Sequence, residues 1–172
     1  MATDRLKYPI GTYETREEID LQTRLSWIED IASLPRLLRE AVESLPPGRL
    51  DEPYRPGGWT ARQVVHHVAD SHMNAFVRLK LALTEDEPTI KPYREERWAE
   101  LPDSLGLPVE PSLQLLEALH LRWATVLRGL DEAAWARTFI HPASGRTDLA
   151  NHAGSYAWHG RHHTAHVRLL LA

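Results

Sequence analysis

Nine residues near the C-terminus, Trp158 to His166 (W-H-G-R-H-H-T-A-H), carry four of the chain's ten histidines. At about 100° per residue, His159, His162, His163 and His166 share roughly one third of a helix circumference. A fold that turns this face inward must supply partners for it, because a buried imidazole is costly unless hydrogen-bonded or metallated. The face holds two i,i+4 pairs, His159/His163 and His162/His166, and that spacing lets two imidazoles close on one metal ion. Spacing alone leaves the choice between the pairs open. Either pair needs a third ligand from elsewhere in the chain.

A chain of 172 residues is most simply a single domain, 1–172, with a substantial core. A net charge of −4 offers no electrostatic case for nucleic acid or an anionic membrane. The absence of cysteine excludes disulfides, thiolate metal sites and a cysteine nucleophile, so any thiol chemistry needs a thiol brought by the substrate. The opening M-A-T-D-R-L-K-Y-P has no apolar signal core, and no run of about 18 apolar residues follows, so a cytoplasmic location is expected.

Residues 1–14 read as a short arm whose Tyr8, Pro9, Ile10 and Tyr13 can pack on the body. Thr15 with Glu18 reads as a capping box opening a helix that carries Ile19, Leu25, Trp27, Ile28 and Ile31. Pro35 is expected to kink or break it before it resumes to about Ser44. After a Pro- and Gly-rich loop, Thr60 and Gln63 form a second capping box, flanked by a Trp59/Val64 staple. The helix from about 60 to 84 has an apolar face and, beside it, a polar stripe of Gln63, His67, Asp70, Ser71, Asn74 and Arg78. Such a stripe either meets solvent or edges an internal cleft; the sequence favours solvent. A connection of about 25 residues with five prolines follows, long enough to be a lid, a binding loop or an excursion anchored by Tyr93 and Trp98. Pro111 suits the first turn of a third helix running to about Gly129, and Asp131 caps a turn around Trp135. Residues 138–146 read as loop, and Thr147 or Asp148 starts the last helix. Four principal helices and no alternating strand pattern predict an all-α four-helix bundle, with the long proline-rich connection between helices 2 and 3.

Leu169 and Leu170 share the face of His162 and His166, which turns that face inward. If the polar stripe of the second helix edges the cleft opposite, His67, His162 and His166 make a three-histidine site of the kind bundles build from facing helices. Neutral imidazoles suit zinc or nickel, and three protein ligands leave positions open for water. Asp70, Ser71 or Asn74 can serve as supporting partners or touch substrate. His66 reads as surface, His72 as a satisfied core histidine, and His120, His141 and His152 as non-functional. Gly154 and Gly160 inside the last helix suggest close approach of another helix or of substrate.

The run G-G-W-T-A-R-Q-V-V-H-H-V-A-D-S-H-M-N, Gly57 to Asn74, resembles a signature of the DinB/YfiT-like superfamily of metal-binding four-helix bundles. The terminal Y-A-W-H-G-R-H-H-T-A-H, Tyr156 to His166, resembles its second signature. The likeness is closer to the YfiT-like branch and extends over nearly the whole chain, including Y-P-I-G, P-Y-R-P-G-G-W and I-K-P-Y. It implies a ligand eight residues after the motif tryptophan, which from Trp59 is His67, followed by an H-x-x-x-H pair matched to His162 and His166. His159 and His163 then become neighbours of the site. It further implies a homodimer, zinc or nickel, and either metal-dependent hydrolysis or, as in related bacillithiol S-transferases, transfer of a low-molecular-weight thiol.

An open three-histidine metal lowers the pKa of bound water toward 7 for hydrolysis, or stabilises a substrate thiol as thiolate for S-transfer. No GxSxG elbow, Gly-rich phosphate loop or HExxH is present in the chain. Asp70 is the motif acid best placed to assist catalysis. The sequence therefore predicts an enzyme acting on a small molecule, with a non-catalytic metal- or ligand-binding module as the rival class.

Overall fold

In the computed structural model, which describes residues 2–171 (side chains from Arg5 onward), the bundle is built from four long helices. These are α2 (Leu21–Glu43), α3 (Ala61–Thr84), α6 (Glu110–Arg128) and α8 (Leu149–Arg168). A short helix α1 (Ala2–Lys7) precedes them, and α4 (Glu95–Trp98), α5 (Pro102–Gly106) and α7 (Glu132–Trp135) lie in the connections. The expected all-α class describes this architecture, with one addition. Thr138–His141 (β1) and Gly145–Asp148 (β2) pair antiparallel, from Thr138 opposite Asp148 to His141 opposite Gly145. The segment read as loop is a hairpin because Gly145 takes φ +83°, which lets the chain reverse at no side-chain cost.

The helix starts follow from local chemistry. Thr60 and Gln63 form the expected reciprocal box: the Gln63 amide donates to the Thr60 hydroxyl (3.2 Å) and the Thr60 amide to the Gln63 side-chain carbonyl (3.0 Å). Asp148 caps α8 through the Asn151 amide at 2.7 Å, and Asp131 caps α7 through Ala134 at 2.8 Å. The Thr15/Glu18 box does not form. Asp20 caps α2 instead, through the Thr23 amide at 2.7 Å. The reason lies across the molecule, where Asn151 accepts from the Arg16 amide (2.9 Å) and donates to the Arg16 carbonyl (2.9 Å). Tyr13 Oη also donates to Asn151. The arm is thus strapped along α8 and its backbone is satisfied there rather than in a helical turn.

Pro35 lies inside α2 without breaking it. It has no N–H for the Ile31 carbonyl one turn back, and that carbonyl instead accepts from His120 Nδ1 at 2.5 Å. Buried apolar side chains form two adjoining clusters. One centres on Trp27, Phe76, Trp123 and Trp135, the other on Leu34, Leu38, Val64, Val68, Leu116 and Val167. The proline-rich connection is tied down as an excursion. Ile140 bridges to the connection around Thr89, accepting from the Ile90 amide and donating to the Pro88 carbonyl (both 2.9 Å), Gln63 donates to the Ala99 carbonyl, and Tyr93 packs on Trp98.

The glycines of α8 set its approach to α2. A Cβ at Gly154 would lie 2.7 Å from the Trp27 ring and 2.6 Å from the Tyr13 hydroxyl; one at Gly160 would lie 2.8 Å from Leu34. Both glycines serve close helix packing, and together they fix the rotation of α8 about its axis.

Candidate metal centre

Three imidazoles meet where α3 passes α8. One ring nitrogen each from His67, His159 and His163 fall within 4.8 Å of one another, with His67 Nε2 and His159 Nε2 3.3 Å apart. His67 and His163 are buried and His159 is partly so. The polar stripe of α3 therefore edges the interior, where its His67 and Ser71 are buried, rather than solvent. The expected trio was His67, His162 and His166. The structure brings His67 into the cluster but gathers it with His159 and His163, while His162 and His166 form a neighbouring set that shares His163.

Hydrogen-bond polarity distinguishes the two H-x-x-x-H pairs. His166 Nε2 lies 3.1 Å from the Lys7 carbonyl, which can only accept, so this nitrogen carries the proton. In a neutral ring Nδ1 is then an acceptor, and it sits 3.2 Å from His163 Nδ1, which must donate. The Nε2 lone pair of His163 is left free, whereas both nitrogens of His166 are occupied. His162 stacks on Trp158 (centroids 4.4 Å) and its buried Nδ1 has no hydrogen-bond partner.

Burial keeps these rings neutral. His67 is pushed down to about 4 by desolvation first and then by His162 and His166. His159 is held well below the usual range by desolvation and then by His67, and His163 by desolvation and then by His159. Desolvation likewise lowers His162 to about 4 and depresses His166 against the opposing pull of the Lys7 carbonyl. Neutral imidazoles are the protonation state that metal binding needs, and a three-nitrogen set of this kind fits a borderline divalent ion such as zinc or nickel.

The cluster opens on a cleft of about 340 Å³. Its walls include Tyr8 from the arm, Tyr54 and Arg55 from the α2–α3 loop, and Trp158, with Lys7 and Glu95 also lining it. Tyr54 stacks on His166 at 4.0 Å and Trp59 packs on His67 at 4.6 Å. These wall residues were not singled out as functional from the sequence, although most fall in the Y-P-I-G and P-Y-R-P-G-G-W runs that carry the family resemblance. Glu95 comes from the proline-rich connection, and partial desolvation followed by the Glu96 charge raises its carboxyl above the usual range. Asp70 is not among the cleft-lining residues. It is half-buried, and desolvation followed by the charge of Asp103 raises its carboxyl to about 6.

The other histidines are placed differently from expectation in one case. His66 is buried rather than on the surface, with Nδ1 2.8 Å from Ser112 Oγ and Nε2 3.1 Å from the Leu107 carbonyl. His72 is fully buried and hydrogen-bonded, as a core histidine should be. His152 meets the Ala75 carbonyl, and the His141 ring accepts from the Ala143 amide at the hairpin turn.

Comparison with known proteins places these features in a lineage. Residues 31–167 match the DinB superfamily. Proteins from Bacillus cereus (strain 03BB102) and Bacillus mycoides (strain KBAB4), each called "Putative metal-dependent hydrolase", are 55% identical over 165 residues, covering 96% of this chain and 95% of theirs. Among solved structures, YfiT from Bacillus subtilis aligns with a TM-score of 0.94 at 47% identity, covering 96% of this chain and 95% of the other. That protein is described as "a probable metal-dependent hydrolase with an unusual four-helix bundle topology". Among the described residues, no helix is long and apolar enough to cross a membrane.

Proposed function

This chain belongs to the DinB superfamily, and from that premise we propose that it is a metal-dependent hydrolase with zinc or nickel held by His67, His159 and His163. The observation that carries this reading is the meeting of three neutral imidazole nitrogens within 4.8 Å, two of them, from His159 and His163, lining a cleft. A bound divalent ion there would supply an activated water near neutral pH and polarise a substrate carbonyl. The protein's own part is to hold the three imidazoles together, with the lone pairs of His159 and His163 aimed by their hydrogen bonds, and to wall the cleft with Tyr8, Tyr54, Trp59 and Trp158. Lys7 and Arg55 place positive charge beside the opening and favour a small substrate bearing an anionic group. Asp70 is not among the residues that line the cleft, and its proposed part is through neighbouring side chains.

A second reading is S-transfer from a low-molecular-weight thiol, with the metal favouring the thiolate. It is supported by the same pair of cations, which suit an acidic thiol. It is supported too by the hydrogen bonding, since among the described residues no carboxylate bonds to His67, His159 or His163 to serve as an adjacent base. Metal-reconstituted protein assayed in parallel on ester and amide panels and on thiol conjugation to electrophiles separates the two. Hydrolysis that is abolished by chelator and restored by metal upholds the first reading. Thiol-dependent turnover with no hydrolysis replaces it with the second.

A further inference from the structure

Behind the cluster, His159 leads into two buried imidazoles, His72 and His120, that have no part in the chemistry above. His159 Nδ1 lies 3.0 Å from His72 Nε2, and His72 Nδ1 lies 3.0 Å from His120 Nε2. His120 Nδ1 ends the line on the Ile31 carbonyl. His72 and His120 are 0% and 1% exposed. The terminus is available because Pro35 has no N–H to give Ile31.

This line has only one consistent polarity. The carbonyl can only accept, so His120 Nδ1 donates and, in a neutral ring, its Nε2 accepts. His72 must then donate from Nδ1 and accept at Nε2, and His159 must donate from Nδ1. The Nε2 of His159 is left as a lone pair, and that atom is the one 3.3 Å from His67 Nε2. A shorter line from the Lys7 carbonyl through His166 does the same for His163. Neither line conducts protons, since each ends on a carbonyl that cannot take one up. They are direction-setters.

We propose that His72 and His120 are positioning residues that hold His159 in its Nδ1–H tautomer and so aim its Nε2 lone pair into the His67–His163 cluster. The purpose of this relay presupposes the metal site proposed above, whereas its polarity stands whether or not metal binds. Loss of an outer partner of a ligating histidine typically weakens metal affinity by about 10–100-fold. His72→Leu removes both bonds, while His72→Gln keeps a side-chain carbonyl near the position of Nε2 to accept from His159.

The test has two readouts independent of turnover. Long-range ¹H–¹⁵N correlation spectra of metal-free full-length protein report the tautomer of each ring, with His159 assigned through His159→Gln. Chelator competition reports zinc affinity in the wild type, His72→Leu and His72→Gln. The relay predicts the Nδ1–H form at His159 in the wild type. It also predicts a roughly 10–100-fold loss of zinc affinity in His72→Leu and a loss of only a few-fold in His72→Gln. An Nε2–H tautomer at His159 in the wild type overturns it, and so does a folded His72→Leu that binds zinc as tightly as the wild type. If His72→Leu does not fold, the wild-type spectrum decides. A wild type that binds no zinc or nickel refutes the metal site, and the purpose of the relay with it, while an Nδ1–H spectrum still upholds its polarity.

Discussion

Substituting Gly154 by alanine should destabilise the protein even though alanine is the better helix former. The new methyl carbon would sit 2.6 Å from the Tyr13 hydroxyl and 2.7 and 2.8 Å from two atoms of the Trp27 ring. Trp27 is 6% exposed and wedged in the core, so its ring cannot swing away as a flexible chain end could. Relieving such overpacking costs about 1–3 kcal/mol, and displacing Tyr13 from Asn151 sacrifices a hydrogen bond worth about 1 kcal/mol. Against this, glycine-to-alanine within a helix gains about 1 kcal/mol. The net is a loss of about 1–3 kcal/mol, which for a chain of this size lowers Tm by about 3–9 °C. Gly160→Ala should cost less, because its neighbour is the flexible end of Leu34. Urea denaturation followed by circular dichroism, beside a thermal melt, measures both. Stability of Gly154→Ala equal to or above that of the wild type would refute the claim that this glycine sets the α2–α8 distance.

Other expectations follow from the same geometry. The depressed histidines bind fewer protons folded than unfolded, so stability is full above about pH 6.5 and is lost as pH falls from there toward about 4, the value to which His67, His120 and His152 are pushed. Urea melts of metal-free protein at pH 7.5, 6 and 5 should show that decline, and a flat profile contradicts it. Asp70→Asn should leave metal content unchanged, because Asp70 is not placed with the cluster, and it should not lower stability at pH 7.5, where its carboxylate is desolvated and faces Asp103. Plasma mass spectrometry and a thermal melt check both halves. Thr60→Ala removes the cap of the helix that carries His67 and should cost about 1 kcal/mol in a urea melt.

The four helices were legible because their signals are local. Thr60 with Gln63 and Asp131 before Trp135 mark starts that need no tertiary context. Thr15 and Glu18 looked equally good, and failed because Asn151, more than 130 residues away, takes the Arg16 backbone. The hairpin at 138–148 was invisible because strands of four residues show too little alternation.

The histidine cluster was legible in the sequence, and the grouping of its members was not. The tryptophan motif led to His67, which lies in the cluster. The two H-x-x-x-H pairs are three residues apart, which offsets them by only about 60° around a helix. Leu169 and Leu170 appeared to mark the inward side for His162 and His166, but residues 169–171 form a 3₁₀ turn and fall out of phase with the α-helix. Leu170, His162 and His166 are nonetheless buried, and so are Ala153, Ala157 and Gly160 on the other side of α8, so burial alone does not choose between the two pairs.

Metal content tests the central claim most directly. Untagged protein, reconstituted with zinc or nickel and desalted, is measured by plasma mass spectrometry beside His159→Ala and His162→Ala. The account predicts near-stoichiometric metal in the wild type, its loss in His159→Ala and its retention in His162→Ala. Retention in His159→Ala with loss in His162→Ala would contradict the assignment, and no bound metal in the reconstituted wild type would end the metal-dependent reading altogether.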